Sequence, residues 1–497
     1  MEMYRNYKGK HVVVVGLARS GVGAANLLVR LGASVTVMDV KGPDELAHYI
    51  SKLDPSVTIK LGRHNEEIID TADTVVASPG VPSTIAIFNR ARSKGIRVLG
   101  ELELAYQVLE ELRKTGAAGF MAITGTNGKS TTTTLLYEIL IHSGFNAIIG
   151  GNIGKALTEE ISKLVVDFER PREFVSPDFI VTEVSSFQLE SAEKFKPKVA
   201  AILNVTPDHL DRHNTMDEYL DAKCRIFQNQ DQMNFLVLNA DDPLSPKIAA
   251  KVKPMGPEIL YFSRKKIVRG AYYNKGIITF NIPELEVLTP ELVVHEMPVF
   301  HTSNFKIKGL HNIENAMAAS LMALVSGCSV ADIYATLTTL KGLEHRLEFV
   351  EEVDGVKYFN DSKGTNIWSV VKSLEGFEDS IVLIAGGRDK AGDFSALKEL
   401  VREKVKAVVL IGEAAGKIKE AVSGITEVHM ASSMQDAVSR SQKIASYGDI
   451  VLLSPACASF DMFKDFEERG VVFKNSVMGL PGKRTASDEA SAAPVGN

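Results

Sequence analysis

The chain has 497 residues, of which 45% are hydrophobic and 24% charged, and its formal net charge is −6. This length predicts roughly three domains, and no apolar run approaches the ~20 residues that cross a membrane. The acidic balance and the absence of an apolar leader in MEMYRNYKGK predict a cytoplasmic protein that binds neither membrane nor nucleic acid.

The first segment shows the order strand, glycine turn, helix, strand. HVVVVG is a short apolar run, GVGAANLLVRLG has helical spacing, and SVTVMD alternates before it ends at Asp39. Further strand patterns at TVVASPGVP and IRVLG extend a parallel sheet. Residues 1–99 are therefore predicted to form a Rossmann-like domain.

The glycine turn of this domain, GLARSG, differs from the GxGxxG fingerprint because Ala18 replaces the middle glycine. Asp39 stands where a nicotinamide-binding unit keeps its ribose acid. A hydride-transfer enzyme is therefore one interpretation. Binding of a different diphosphate is the other, since the same turn serves both ligands.

The second segment, residues 100–342, is predicted to be a central P-loop ATPase-like domain with a mostly parallel sheet. A helix at ELELAYQVLEELRKTG leads into the strand FMAI, the loop GTNGKSTTTT and the helix LLYEIL. Strands follow at FIVTEVSS, VAAILNV and FLVLNADD, and GAYYNKGIITFNI predicts a hairpin. DFERPREFVSP is expected to be a solvated insertion.

The loop GTNGKST is typical of a phosphate site, although Ile123 stands where GxxxxGK[ST] begins with glycine. Backbone N–H groups and the positive end of a helix attract an anion, Lys129 adds a charge, and Ser130 offers a hydroxyl to Mg²⁺. A switch GTPase, a kinase and an ATP-driven ligase all remain open, although the guanine-reading NKxD motif is absent. A glycine turn that only caps a helix is the structural alternative.

Two polar side chains follow neighbouring strand ends in this domain. Glu183 ends one strand, and His209 follows another in NVTPDHLDRH. Ligands of open α/β sheets collect at the carboxyl ends of strands, so we expect both residues to lie near Lys129 and Ser130. A helix cap and a structural hydrogen bond are the alternatives for the two residues taken singly.

The third segment, residues 343–484, is predicted to be a C-terminal Rossmann-like α/β domain. Apolar strands at SIVLIAGG, AVVLIG and DIVLLSPA are separated by helix-length segments. Residues 485–497 are small and polar, and we expect them to be disordered.

The motifs GTNGKSTT, EVSSFQLE, NVTPDHLDRH, YLDAKCRIF, GLHNIENAMAA and GLEHRLEF occur in an order that resembles the Mur ligases of peptidoglycan synthesis. Folylpolyglutamate synthase, a relative, lacks the N-terminal nucleotide-sugar domain. The resemblance implies an ATP site at Gly125, Thr126, Asn127, Gly128, Lys129, Ser130, Thr131, Asn312, Asn315, Arg346 and Asp361. It further implies two Mg²⁺ ions at Ser130, Glu183, His209 and Lys223, and catalytic roles for Lys129, His209, Lys223 and Glu183.

The same resemblance implies a UDP-sugar site at Leu17, Ala18, Arg19, Asp39, Ser78, Pro79, Gly80 and Asn152. Tight turns are the structural alternative for SPGVP and GNIG. The third-domain motifs FNDSKGTN, AGGRDKAGDF and LLSPACASFDMFKDFEERG are similar to those of family members that add D-glutamate. They imply a D-glutamate site at Lys363, Thr365, Lys390, Ser459, Phe460 and Phe466.

The resemblance therefore implies a monomeric ligase whose partners are the small molecules UDP-N-acetylmuramoyl-L-alanine, D-glutamate and ATP. It also implies a carbamate on Lys223 beside the second Mg²⁺. Taken alone, Lys223 is expected to be a surface lysine paired with Asp221 or Glu218, on the same helix face as Tyr219.

Overall fold

The computed structural model describes residues 6–63, 66–112, 119–165, 176–282, 299–307, 309–340, 342, 344–377, 379–389 and 392–483. The described residues form two compact units, one from Met1–Phe305 and Ile313–Leu340, the other from Lys306–Asn312 and Lys341–Asn497. None of the helices in these ranges has the length and apolar character that a membrane crossing requires. Most of the expected insertion and the C-terminal tail lie outside the described residues.

The first sheet belongs to the N-terminal domain, and every strand pair in it is parallel. Its strands are β1 (His11–Val15), β2 (Ser34–Asp39), β3 (Thr58–Leu61), β4 (Thr74–Ala77) and β5 (Arg97–Gly100), in the order β3-β2-β1-β4-β5. The helices are α1 (Arg19–Arg30), α2 (Pro43–Ile50) and α3 (Ala86–Ser93), with a 3₁₀ turn at Glu66–Thr71. The predicted Rossmann-like domain is confirmed.

Helix α4 (Glu101–Leu112) leads from this domain into the next. The Glu101 carboxylate accepts hydrogen bonds from the backbone N–H and the hydroxyl of Thr158, at 2.8 and 2.9 Å. Arg30 donates to the carbonyl oxygen of Ser162 at 2.8 Å. The N-terminal and central domains therefore pack together within the first unit.

The second sheet has nine strands and eight neighbouring pairs, of which six in succession are parallel and the two at one edge are antiparallel. The strands are β6 (Gly119–Thr124), β7 (Ala147–Gly151), β8 (Phe179–Glu183), β9 (Val199–Ile202), β10 (Phe235–Asn239), β11 (Glu258–Ser263), β12 (Gly270–Asn274), β13 (Ile277–Asn281) and β14 (Val299–His301), in the order β14-β13-β12-β11-β10-β9-β6-β8-β7. The predicted hairpin is confirmed as β12–β13.

The helices of this domain are α5 (Lys129–His142), α6 (Leu157–Ser162), α7 (Ser186–Leu189), α8 (Leu210–His213), α9 (Met216–Cys224), α10 (Ser245–Ala249), α11 (Leu310–Leu324) and α12 (Val330–Thr339). Short 3₁₀ turns occur at Arg225–Phe227 and Thr302–Asn304. Strand β6 is buried from Phe120 to Thr124. Burial on both faces is what a central strand of a parallel sheet requires, and it explains the continuous apolar run FMAI.

The third sheet lies in the second unit. Its strands are β15 (Glu348–Val353), β16 (Val356–Asn360), β17 (Ile381–Gly386), β18 (Val405–Ile411), β19 (Glu427–Met430) and β20 (Ile450–Leu453), in the order β15-β16-β20-β17-β18-β19. All pairs are parallel except β15–β16. The helices are α13 (Ile367–Glu375), α14 (Lys398–Lys404), α15 (Ala415–Ala421), α16 (Met434–Ile444) and α17 (Phe466–Met478), with a 3₁₀ turn at Phe394–Leu397.

Candidate active site

The phosphate loop connects β6 to α5, as predicted. Gly128 caps α5 with a φ of +84°, and a Cβ atom there would lie 2.3 Å from Asn315 Oδ1. Backbone conformation and space therefore both require glycine. Asn204, after β9, holds the loop in place: its side chain accepts from Asn127 N at 2.8 Å and donates to Asn127 O at 3.0 Å.

The Lys129 ammonium folds back over this loop. Its Nζ atom donates to the carbonyl oxygens of Gly125 and Thr126, at 2.9 and 2.8 Å. Thr131 is buried in the first turn of α5. A cation and the N-terminal end of a helix thus face the same loop, which is the arrangement that binds polyphosphates.

Ser130 and Glu183 meet beside the loop. The Ser130 hydroxyl donates to Glu183 Oε2 at 2.6 Å, and the Asn152 amide donates to Glu183 Oε1 at 2.9 Å. Glu183 is only 3% exposed. A hydroxyl and a carboxylate are oxygen donors of the kind that Mg²⁺ prefers, so these two residues fit the ion.

His209 lies at the N-terminus of α8, in the left-handed region with a φ of +55°. Its ring contacts Phe187 edge-on, with centroids 4.9 Å apart, and its Nε2 atom is 3.6 Å from Asp208 Oδ2. About a third of the side chain is exposed. Its role as a metal ligand stays a prediction.

Lys223 is buried, with 1% of its surface exposed, and it lies on α9 above the phosphate loop. Its Nζ atom donates to Gly125 O at 2.9 Å and sits 4.4 Å from the centre of the Tyr219 ring. Burial, reinforced by the charge of Lys129, lowers the pKa of Lys223 well below its ordinary value.

The expectation that Lys223 is a surface lysine is therefore wrong. Asp221 pairs with Lys251 instead, at 2.8 Å, and Glu218 accepts a hydrogen bond from Asn214 at 3.2 Å. The shared helix face with Tyr219 is confirmed. The physical reason is that α9 packs its Lys223 side toward the phosphate loop, a contact between residues 98 positions apart.

Asn312 and Asn315 are both buried and lie one turn apart on α11. Asn315 Oδ1 accepts from the Thr132 hydroxyl at 3.3 Å, which brings it to the first turn of α5. Asn312 N donates to Gly309 O at 3.0 Å.

The glycine turn of the N-terminal domain is held by its own side chains. Leu17 N donates to Asp39 Oδ2 at 2.7 Å, so the strand-end acid binds the turn's backbone. Gly16 has a φ of +99° and accepts from the Ser78 hydroxyl at 2.7 Å. These contacts hold the turn at the carboxyl end of β1, where ligands of such sheets bind.

The remaining residues of the predicted UDP-sugar site surround this turn. Ala18 precedes α1, and Arg19 donates to Gly154 O at 2.5 Å. Pro79 O accepts from Arg212 at 2.8 Å, and Gly80 is exposed. The structure thus joins the glycine turn to the GNIG loop and the SPGVP turn to α8.

Within the second unit, Asp361 is buried at the end of β16 and accepts from the hydroxyls of Ser373 and Ser454, both at 2.7 Å. Burial raises the pKa of Asp361, while the neighbouring Arg346 lowers it. Arg346 has a buried Nε atom without a hydrogen-bond partner among the described residues. The two residues predicted to contact ATP are thus electrostatic neighbours.

Four of the predicted D-glutamate residues fall on two loops of the second unit, and Phe466 begins α17. Lys363 Nζ lies 5.2 Å from the centre of the Phe466 ring, and Thr365 N donates to Lys363 O at 2.9 Å. Ser459 is 2% exposed, whereas Phe460 is 63% exposed. Lys390 lies outside the described residues.

Arg469 on α17 connects these two loops and was not predicted. It is fully buried and donates to Ser362 Oγ at 2.9 Å, Ser362 O at 2.8 Å and Cys457 O at 3.1 Å. Burial lowers the pKa of Arg469 to about 10. A single arginine within a helical pattern does not indicate in the sequence that its side chain is buried and joins two loops.

Elsewhere in the described second unit, Glu344, His345 and Glu348 lie close enough together to hold a metal ion. Lys474, however, donates to carboxylate oxygens of both Glu344 and Glu348. An ammonium group thus already neutralises the cluster, so this group has a structural explanation without a metal.

Three family models match the chain. The MurD-like N-terminal domain of Mur ligases matches residues 10–100, the Mur ligase middle domain residues 123–323, and the Mur ligase glutamate ligase domain residues 345–457. The interpretation of the first domain as part of a hydride-transfer enzyme is therefore wrong. Its fingerprint is shared by domains with other diphosphate ligands, which is why the turn alone could not separate them.

Curated relatives are similar over nearly the full length. The UDP-N-acetylmuramoylalanine–D-glutamate ligase of Geotalea daltonii is 45% identical over 477 residues, covering 96% of this chain and 98% of its own. The protein of that name from Pelotomaculum thermopropionicum is 42% identical over 482 residues, covering 96% and 99%.

Solved structures share the fold at low identity. MurF from Acinetobacter baumannii has a TM-score of 0.59 at 17% identity and covers 93% of both chains. UDP-N-acetylmuramate-alanine ligase MurC from Thermotoga maritima has a TM-score of 0.57 at 17% identity, covering 94% of this chain and 99% of its own.

Proposed function

The chain belongs to the Mur ligase family, and we propose that it joins D-glutamate to UDP-N-acetylmuramoyl-L-alanine with cleavage of ATP to ADP and phosphate. The observation that carries the proposal is the near full-length similarity to relatives named as this ligase. The ATP-dependent ligation in peptidoglycan precursor synthesis is common to the family, and the choice of D-glutamate is the finer part of the proposal.

In the first step, a carboxylate oxygen of the L-alanine moiety attacks the γ-phosphorus of ATP, and the bond to the bridging oxygen of ADP breaks. An acyl phosphate forms. Lys129, once released from the Gly125 and Thr126 carbonyls, offsets the charge on the transferring phosphoryl group. The backbone N–H groups of the loop hold the neighbouring phosphates.

In the second step, the neutral amine of D-glutamate attacks the activated carbonyl carbon. A tetrahedral intermediate forms, and it collapses to the amide with loss of phosphate and a proton. Water would hydrolyse the acyl phosphate, so the reaction benefits from exclusion of solvent at this point.

ATP is used together with Mg²⁺, which supplies positive charge at the phosphate oxygens. Ser130 and Glu183 are the residues that would hold an ion, because their oxygens are hard donors already in contact. We further propose that a second Mg²⁺ ion binds and that His209 is a metal ligand. Asn312, Asn315, Arg346 and Asp361 are proposed to contact the nucleotide.

Lys223 is proposed to carry a carbamate. The neutral amine attacks the carbon of CO₂, an N–C bond forms, and a proton is released. The product exchanges a cation for an anion with two oxygen donors. The burial of Lys223 and its closeness to Lys129 support this step, since both favour the neutral amine.

The two substrate sites are carried over from the family. The glycine turn, with Leu17, Ala18, Arg19 and Asp39, would hold the UDP part, and Ser78, Pro79, Gly80 and Asn152 the sugar part. D-glutamate has two carboxylates, so cations and hydroxyls suit its pocket. Lys363, Thr365, Lys390 and Ser459 would provide these groups, beside Phe460 and Phe466.

Phosphate release by the purified protein tests the proposed function. ATP and UDP-N-acetylmuramoyl-L-alanine are supplied with a panel of D- and L-amino acids, and release is expected with D-glutamate. Phosphate release with a different amino acid but not with D-glutamate would contradict the choice of substrate. No phosphate release with any amino acid of the panel would contradict the ligase assignment. A monomer in the cytoplasm is also proposed, and light scattering of the purified protein would reveal a dimer.

A further inference from the structure

The guanidinium of Arg212 bridges the N-terminal and central domains of the first unit. Its Nη1 atom donates to Pro79 O at 2.8 Å, in the turn after β4. Its Nη2 atom donates to Glu190 Oε2 at 2.9 Å, just after α7. The two side chains are 17% and 21% exposed, so the pair is shielded from solvent. A planar group with fixed donor directions holds both partners at a set separation.

The same guanidinium supports the surroundings of His209. It lies 4.2 Å from the centre of the Phe187 ring, which also contacts the His209 imidazole at 4.9 Å and stacks on the His213 imidazole at 5.4 Å. Arg212 N also donates to His209 O at 3.1 Å. Movement of the Arg212 side chain would therefore remove one of the groups that hold Phe187 against His209.

On its other side, Arg212 reaches the glycine turn through the SPGVP turn. The Ser78 hydroxyl donates to Gly16 O at 2.7 Å. A Cβ atom on Gly16 would lie 2.7 Å from Val81 Cγ2, so the two turns are in direct contact. The SPGVP turn and the glycine turn are therefore fixed to each other, and the hydrogen bond from Arg212 to Pro79 sets where both lie relative to the central domain.

We propose that Arg212 is a positioning residue for the nucleotide-sugar substrate. It fixes the distance between the glycine turn of the N-terminal domain and the part of the central domain that carries His209. The inference rests on the proposed function. One substrate molecule must reach both places at once, with its diphosphate on the turn and its carboxylate near the phosphate loop. An error in this spacing weakens binding and misaligns the reacting oxygen.

Binding measurements separate positioning from simple damage to the fold. UDP alone engages the glycine turn, whereas UDP-N-acetylmuramoyl-L-alanine spans both domains. In Arg212→Ala, the calorimetric affinity for UDP should stay within about twofold of wild type, and that for the full substrate should fall about tenfold. The KM for the full substrate should rise by a similar factor, with the KM for ATP nearly unchanged.

Two further variants sharpen the test. Arg212→Lys keeps the aliphatic stem and the charge but not the two fixed donor directions. An intermediate loss of affinity for the full substrate is therefore expected, and this variant replaces Arg212→Ala in the test if the alanine variant does not fold. Arg92→Ala is the matched control: Arg92 and Arg212 both line a cleft between the N-terminal and central domains, but Arg92 donates to Ser83 O and Asn89 Oδ1 within its own domain. Its affinities should match wild type.

Equal weakening of UDP and of the full substrate would overturn the proposal, because Arg212 would then support only the N-terminal fold. Unchanged affinity for both would overturn it as well. Failure of the proposed function is distinguishable, since the wild-type protein itself would then release no phosphate with these substrates.

Discussion

Lys223 and Lys129 donate to the same carbonyl oxygen, that of Gly125, both at 2.9 Å. Two ammonium groups so close repel each other, and one of them is buried. Loss of a proton from Lys223 relieves the repulsion and the burial cost together. A neutral amine is also what addition of CO₂ requires. The environment that would be unfavourable for a structural lysine therefore favours the proposed carbamate.

Replacement of Lys223 tests this role. Lys223→Ala should lose most of the ligase activity, and added acetate should restore part of it, because a small carboxylate can occupy the vacated space. Lys223→Arg keeps a charge that cannot be carbamylated, so it should be equally inactive and should not respond to acetate. Initial rates of phosphate release with and without acetate measure both effects.

Lys251→Ala is the matched control. Lys251 is a surface lysine whose partner, Asp221, lies on the same helix as Lys223. Its activity should equal that of wild type with or without acetate. A Lys223→Arg variant that works at nearly the wild-type rate would rule out the carbamate.

Lys390 is expected to bind a carboxylate of D-glutamate. Lys390→Ala should raise the KM for D-glutamate about tenfold or more, with little change in the KM for ATP, because one charge-assisted hydrogen bond is lost. Steady-state kinetics in each substrate measure the difference. Lys398→Ala, at an exposed position on α14, is the control. An unchanged KM for D-glutamate would remove Lys390 from the site.

At the scale of elements, the sequence predicted those with strong hydrophobic patterns. The buried runs at β1, β6 and β17 were found because strands covered on both faces are apolar throughout. The edge strands β3 and β19 were missed. They are short, at four residues each, and half-exposed, so their side chains carry little pattern.

The two ends of α5 offer a test in which two glycines share nearly the same positive φ. Gly128 and Gly144 have φ values of +84° and +83°, but a Cβ atom meets Asn315 at 2.3 Å only in the first case and open space in the second. Alanine at either position should cost roughly 1–2 kcal/mol of stability from the backbone alone. Gly128→Ala should in addition lose most ATP-dependent activity.

Thermal unfolding and phosphate release measure the two consequences separately. Gly144→Ala should lose stability and keep its specific activity at a temperature where it is folded. If the two variants lost activity equally, the contact between the phosphate loop and Asn315 would have no part in ATP binding.

The junction between α4 and α6 should respond to pH through Glu101. This carboxyl is 1% exposed, and burial raises its pKa above the ordinary 4.5, against the Thr158 hydrogen bonds that lower it. The folded chain therefore holds this proton more tightly than the unfolded chain. Its contribution to stability is present at low pH and is lost as the pH rises through the folded pKa.

Glu101→Gln removes this titration. Its free energy of unfolding in urea, relative to wild type, should increase between about pH 5 and about pH 8. Glu110→Gln, at an exposed position of the same helix, should show no such change. A difference between Glu101→Gln and wild type that does not vary with pH would mean that Glu101 is ionised throughout this range.

At the scale of the whole molecule, motif order predicted which residues would meet, but not the groups that hold them. Ser130 and Glu183 were expected together and are in contact. Asn204, which holds the phosphate loop, and Arg212, which joins two domains, stand inside quoted motifs without a predicted role. Their partners are 77 and 133 residues away. Such contacts depend on the packing of sheets, which no local pattern encodes.

Each of the three domains would bind one reactant of the proposed two-step reaction, and an oxygen isotope in the substrate can follow both steps. In the proposed chemistry, one carboxylate oxygen of the L-alanine moiety bonds to the γ-phosphorus and leaves with the phosphate when D-glutamate attacks. With both carboxylate oxygens labelled as ¹⁸O, every released phosphate should therefore carry one labelled oxygen, and the new amide should keep the other. Mass spectrometry of both products measures this. Unlabelled carboxylate in ¹⁸O-water is the control and should give unlabelled phosphate. Unlabelled phosphate from the labelled substrate would mean that ATP is cleaved by water, and that no acyl phosphate forms.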